Sequence, residues 1–158
     1  EVLVESFVVR NQNCLEKYML LSGVVDRYGR NPLHTASLFP ESLRRYNPIP
    51  ILLKKSVDIN EQDLVGRTPL FYAVRTGNLK DAKLLIEKGA NMTIADKYGH
   101  TPAHVAAIKT GSYDANSSDL YFDILKSLRE KGADMNARDY RGRTVLDCLK
   151  RFANRDLN

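Results

Sequence analysis

"GRTPLFYAVRTGNLKDAKLLIEKGAN" occupies residues 66–91, and its pieces recur along the chain. The opening returns as "GRNPLHTAS" from Gly29, "GHTPAHVAA" from Gly99 and "GRTVLDCLK" from Gly142. The second half returns as "ILLKKSVDIN" at 51–60 and "KSLREKGADM" at 126–135. Thr68 to Thr101 is a step of 33 residues, Asn31 to Thr68 is 37 and Thr101 to Thr144 is 43. A 33-residue unit with four and ten extra residues accounts for all three steps, the additions falling between the halves of their units, around 37–50 and 110–120. Both are expected on the rim opposite the fingers, the first partly ordered by its prolines and the second, polar and rich in Gly, Ser and Asn, mobile. A fixed period in this range is the mark of a stacked array. Aligning "YMLLSG" at 18–23 with "LLIEKG" at 84–89 brings Glu5–Val8 over the opening slot and gives five units: 1–25, 26–62, 63–95, 96–138 and 139–158.

Within a unit the residues spell out two short helices. Thr68, Thr101 and Thr144 suit N-caps, and Pro69 and Pro102 then fall at the first helical position, where a missing N–H costs nothing. Leu70, Ala73 and Val74 supply the three-four spacing of one helix, and Ala82, Leu84, Leu85 and Ile86 that of a second. Small residues at Ala36, Ala73 and Ala106 let paired helices approach closely. Gly89 and Gly132 stand where a helix stops in left-handed backbone. Gly29, Gly66, Gly99 and Gly142 mark turns at projecting tips. Helices of at most about ten residues are marginal alone, so each unit has to bury its faces against the next.

The pattern Asp-x-x-Gly-x-Thr-Pro-Leu-His-x-Ala, followed by an apolar stretch and Gly-Ala-Asp-x-Asn, resembles the ankyrin repeat over nearly the whole chain. The resemblance implies an all-α solenoid of stacked helix-turn-helix units with projecting β-hairpin fingers, forming a single domain over 1–158. It also implies a protein–protein interaction module that presents a concave surface of hairpin tips and first helices. The first unit lacks the Thr-Pro start, and the last stops at or just beyond its first helix.

Composition agrees with a folded domain. The chain has 158 residues, 43% hydrophobic and 27% charged, and no apolar run approaches the roughly 20 residues that cross a bilayer. No membrane insertion is expected. It begins at Glu1, and "EVLVESFVV" lacks a basic leader, so we read it as a segment of a longer protein. Cys14 and Cys148 lie near opposite ends, too far apart in an extended array for a disulfide, and two lone thiols fit an intracellular setting, cytoplasmic or nuclear. Sequons at Asn91 and Asn116 point weakly the other way. The net charge of +5 fits an acidic partner; acids interspersed among the bases disfavour a nucleic acid.

Catalytic and cofactor motifs are missing. No HExxH, paired CxxC, nucleophile elbow or phosphate-binding glycine loop occurs. Neither enzymatic activity, a cofactor, a metal nor a small-molecule substrate is expected. His34 and His104 hold the fourth place of "TPLH", where the resemblance implies a structural bond from the imidazole to backbone near a finger. Phe71 and Asp147 fill the same place in their units, as suits a packing position.

What the scaffold leaves open is the candidate binding set. By resemblance the finger tips are Arg27, Tyr28 and Arg30; Leu64, Val65 and Arg67; Lys97, Tyr98 and His100; and Tyr140, Arg141 and Arg143. The first helices add Arg75, Ile108 and Lys109, with Leu38, Phe39 and Thr76 beside them. The set is aromatic, apolar and basic with no acid in it, and Tyr and Arg are enriched at interface hot spots. The expected partner is another protein with an acidic or mixed surface. An alternative is an intramolecular scaffold regulating a catalytic or channel domain outside this segment. Finally, Leu52–Asn60 and Leu128–Asn136 resemble the ankyrin motif recognised by an asparaginyl hydroxylase, which marks Asn60 and Asn136 as modification candidates.

Overall fold

The computed structural model describes residues 25–39, 47–110 and 115–153, without the side chains of 115–117 and 151–153. The first unit, with its Phe7 and Cys14, and much of the insert at 37–50 lie outside the described residues. The described residues form seven helices: α1 (Pro32–Leu38), α2 (Ile49–Lys54), α3 (Pro69–Arg75), α4 (Leu79–Glu87), α5 (Pro102–Thr110), α6 (Ala115–Glu130) and α7 (Val145–Ala153). Proline opens α1, α3 and α5 at their first position, as the Asn-Pro and Thr-Pro pairs predict.

The cap chemistry varies by unit around one geometry. Asn31 accepts the N–H of His34 while His34 Nδ1 accepts that of Asn31, a closed capping box. Thr68 accepts the Phe71 N–H, but Phe71 cannot return the bond. In the last unit Asp147 Oδ2 accepts the Thr144 N–H at 2.9 Å and Thr144 Oγ1 accepts the Asp147 N–H at 3.1 Å. Asp147, in the histidine place, is therefore a cap.

First helices stack on first helices, α1 on α3, α3 on α5 and α5 on α7, while α2, α4 and α6 pair with the first helices of their own units. The core between the layers holds Leu33, Ile49, Leu52, Leu70, Val74, Leu85, Ile124 and Leu128, all almost fully buried. Ala36, Ala73 and Ala106 are 0% exposed, which is what close helix approach at the small-residue positions requires. Cys148 is also buried.

One sequence expectation needs correction, and two local features add detail to the pattern. The segment around 110–120 reads as a mobile rim loop, yet α6 starts at Ala115 and runs 16 residues, longer than the expected ten. Its first turns pack on the body: Tyr121 donates its hydroxyl to the Arg75 carbonyl at 3.0 Å, and Ser118 Oγ donates to the Thr110 carbonyl at 2.9 Å. The fingers are not β-ladders, because among the described residues the pairing is a single bridge between Arg138 and Thr144. Ser56, at the place of Gly89 and Gly132, takes left-handed backbone with φ of 58° although it has a side chain.

Candidate partner-binding face

Each finger is built on one buried or half-buried aspartate. Asp26, Asp63, Asp96 and Asp139 each aim Oδ1 at the N–H groups two and four residues on, at 2.8–3.0 Å. Each turn closes through the aspartate N–H onto the carbonyl four residues later. The glycine in the fourth place takes positive φ of 73–79°, which keeps the tip narrow. Neighbouring fingers are stitched by one backbone bond each: Leu64 N–H to the Tyr28 carbonyl, Lys97 to Val65 and Tyr140 to Tyr98.

The imidazoles lock the fingers to the helices. His34 Nε2 donates to the Arg67 carbonyl at 2.8 Å, and His104 Nε2 donates to the Arg143 carbonyl at 3.2 Å. Because a carbonyl only accepts, both rings carry their proton on Nε2. Burial holds both pKa values below the ordinary histidine range.

Several tip cations are engaged inside the fold, which the sequence does not announce. Arg30 Nε lies 2.7 Å from Asp26 Oδ2, and its guanidinium sits 4.7 Å from the Tyr28 ring centroid. Arg143 grips Asp139 Oδ2 through Nε at 2.8 Å and a second nitrogen at 2.7 Å. Burial alone would raise the Asp139 pKa, but the Arg143 guanidinium and the N–H groups of Arg143 and Arg141 outweigh it and hold the carboxyl at about 2. Arg67 packs over Phe71, 5.2 Å from the ring centroid. By contrast Arg27, Lys97 and Arg141 are exposed, and Leu64, Tyr98 and Tyr140 are 77%, 50% and 79% exposed.

Eleven of the expected positions, Leu38 and Thr76 among them, converge on two adjoining depressions. One, of about 270 Å³, is lined by Arg67, Arg75, Tyr98, His100, Ile108 and Lys109 together with Phe71, Asp96 and Val105. The other, of about 450 Å³, is lined by Tyr28, Arg30, Val65, Arg67, Arg75 and Lys109 with Leu38, Asp63, Tyr72 and Thr76. Arg67, Arg75 and Lys109 belong to both. Arg27, Leu64, Lys97, Tyr140, Arg141 and Arg143 line neither. The face does contain acids, Asp63 and Asp96, but their carboxylates are turned into the finger turns. Asp63 also accepts the Tyr72 hydroxyl at 2.6 Å, and burial and this carboxylate raise the Tyr72 pKa.

The asparagines differ. Asn60 Oδ1 accepts the Asn91 N–H at 2.8 Å and so ties one unit to the next, whereas Asn136 is exposed in the turn before the last finger. Among the described residues no group of three or more His, Cys, Asp or Glu side chains is placed to hold a metal, and no helix is long and apolar enough to cross a membrane.

Comparison with known proteins agrees with this geometry. The family model for ankyrin repeats, in three copies, matches residues 41–139. An ankyrin repeat protein of Fowlpox virus is 36% identical over 107 residues, 68% of this chain and 14% of that protein. A second one from the same virus is 32% identical over 137 residues, 82% of this chain and 36% of that protein. Mouse neurogenic locus notch homolog protein 1 is 37% identical over 94 residues, 60% of this chain and 3% of that protein. The chain thus spans well under two thirds of the length of these relatives. With the repeat period, the helix pairs and the family match in agreement, the chain belongs to the ankyrin repeat family.

Proposed function

We propose that the chain is a protein-binding array that holds an acidic or mixed segment of another protein against the groove between its fingers and first helices. Ankyrin repeats are generally protein–protein interaction modules. The observation that carries the finer reading is the convergence of Arg67, Arg75 and Lys109 on both depressions, flanked by the exposed tips Leu64 and Tyr98. The mechanism is rigid presentation: finger turns fixed by buried aspartates bind with little ordering entropy. Intracellular work, in cytoplasm or nucleus, suits this role. A photo-crosslinking amino acid in place of Leu64 or Tyr98 is expected to capture a partner, whereas one in place of the exposed Lys83 on α4 is not. Capture through Lys83 alone would refute this reading.

The share of relatives matched supports a second reading. The E3 ubiquitin-protein ligase KEG of Arabidopsis thaliana is 27% identical over 124 residues, 7% of its length. Such an array inside a far longer chain suits an intramolecular scaffold, whose partner would be another domain of the same protein. Asn136 remains the better candidate for hydroxylation, since its turn is exposed and Asn60 is engaged between units. Mass spectrometry after incubation with the hydroxylase tests this, and absence of an added oxygen at Asn136 would refute it.

A further inference from the structure

Unit three departs from its neighbours at the histidine place, and the consequence lies on the groove. Where units two and four place an imidazole that reaches the next finger, Phe71 places a ring with no atom able to bond a carbonyl. With Val105 and Ile108 it lends apolar character to the 270 Å³ cleft, whose rim carries Arg67, Arg75 and Lys109. Arg67 Nε is buried without a hydrogen-bond acceptor, and the nearest carboxylate oxygen, Asp96 Oδ2, stands 3.7 Å away. A pair that long neutralises the guanidinium only weakly, so the cleft keeps cationic character that an oxyanion at its rim would complement. Asp63 and Asp96 add little more, because their Oδ1 atoms already accept two finger N–H groups each, Asp63 Oδ2 holds the Tyr72 hydroxyl and Asp96 Oδ2 is the distant Arg67 partner.

We propose that this cleft is a bipartite subsite that takes an apolar side chain of a partner protein against Ile108 and the accessible edges of Phe71 and Val105. An adjacent carboxylate of the same segment meets the cationic rim of Arg67, Arg75 and Lys109. The charge complementarity is local rather than a property of the whole surface. Apolar floor and cationic rim belong to one cleft, so the recognised element is a short acidic-apolar motif. This inference rests on the concave-face reading and narrows it to one unit boundary.

The test is selection of random 12-residue peptides on the immobilised chain, followed by titration of the winning peptide in fluorescein-labelled form. The expected winners pair Asp or Glu with a neighbouring aliphatic or aromatic residue. Their affinity should fall about tenfold or more on replacing the acid by Gln, or on Arg75→Gln with Lys109→Gln. These two substitutions leave the finger aspartates and Arg67 in place, and circular dichroism checks that the fold is kept. Replacing the acid by phosphoserine should weaken binding, and markedly tighter binding would overturn the carboxylate assignment in favour of a phosphorylated partner. Winners without acids, or an affinity unchanged by the double substitution, would overturn it. If such winners still lose binding on Leu64→Ser with Tyr98→Ser, the concave-face reading stands without the subsite. If they do not, that reading fails too, as it does if no peptide is selected.

Discussion

Replacing Gly99 by alanine tests how the fingers are held together. A Cβ there would lie 2.7 Å from the Tyr140 nitrogen, 2.8 Å from Tyr140 Cδ1 and 3.1 Å from the Asp139 carbonyl carbon. Two of these atoms are backbone, so a neighbouring finger has to move. The Tyr140 N–H is also the one that bonds the Tyr98 carbonyl at 3.1 Å, the stitch between the last two fingers. Gly142 is the natural control: its φ of 73° matches the 79° of Gly99, but nothing stands within 4 Å of its Cβ position. Both substitutions therefore carry the left-handed backbone penalty of about 1 kcal/mol. Only Gly99→Ala adds overpacking and a weakened stitch, together about 2 kcal/mol. The expected losses are about 3 kcal/mol for Gly99→Ala and about 1 kcal/mol for Gly142→Ala. For a chain of this size that puts the Gly99→Ala midpoint about 6 °C below the other. Thermal melts followed by far-ultraviolet circular dichroism read this directly. Equal midpoints would refute the claim that fingers press on one another.

Four other outcomes follow from the same structure. Ser56→Gly should raise stability by about 0.5–1 kcal/mol in urea titrations, since glycine relieves the φ of 58°; a loss would count against the left-handed turn. Tyr121→Phe should cost about 1 kcal/mol by removing the bond to the Arg75 carbonyl, and deleting 115–120 should cost more; a neutral result for both would restore the mobile-loop expectation. The buried imidazoles of His34 and His104 titrate below their unfolded value near 6.5, so the unfolded chain binds more protons as pH falls. Stability is then intact above about pH 6.5 and declines below it, and a melting temperature that stays flat from pH 7.5 to 5.5 would contradict the neutral rings. Asp139 adds a second acid-side contribution, present above about 3.8 and lost as pH falls toward about 2; Arg143→Gln should shrink that loss by bringing the folded pKa back toward 3.8, and an unchanged acid-side loss would contradict the pairing.

The repeat, its helix starts and its helix stops were legible because each rests on local chemistry. Pro69 and Pro102 fix a first helical position, Ala73 and Ala106 fix a close approach, and Gly89 and Gly132 fix an exit. The histidine role was legible because Phe71 and Asp147 share its place. Less legible was what depends on pairing across units. The pairs of Asp26 with Arg30 and Asp139 with Arg143 carry a local signal in their four-residue spacing, whereas the reach of a finger into the neighbouring groove carries none. Asp63, Asp96 and Val105 were missed for the same reason: they reach the groove through the stack. A charge-reversal test on Arg30 and Arg143 would therefore confound binding with loss of the finger. Exposed Arg75 is the better probe. The helical start of α6 was hidden by the polar run before Leu120, whose contact with Gly77 comes from another unit.

Hydrogen exchange of the chain with a crosslink-identified partner, free and bound, tests the concave face most directly. The account predicts new protection at 64–67, 75–76, 97–100 and 108–109, with the outward sides of α4 and α6 unchanged. Protection confined to α4 and α6, with the fingers exchanging as in the free chain, would contradict it.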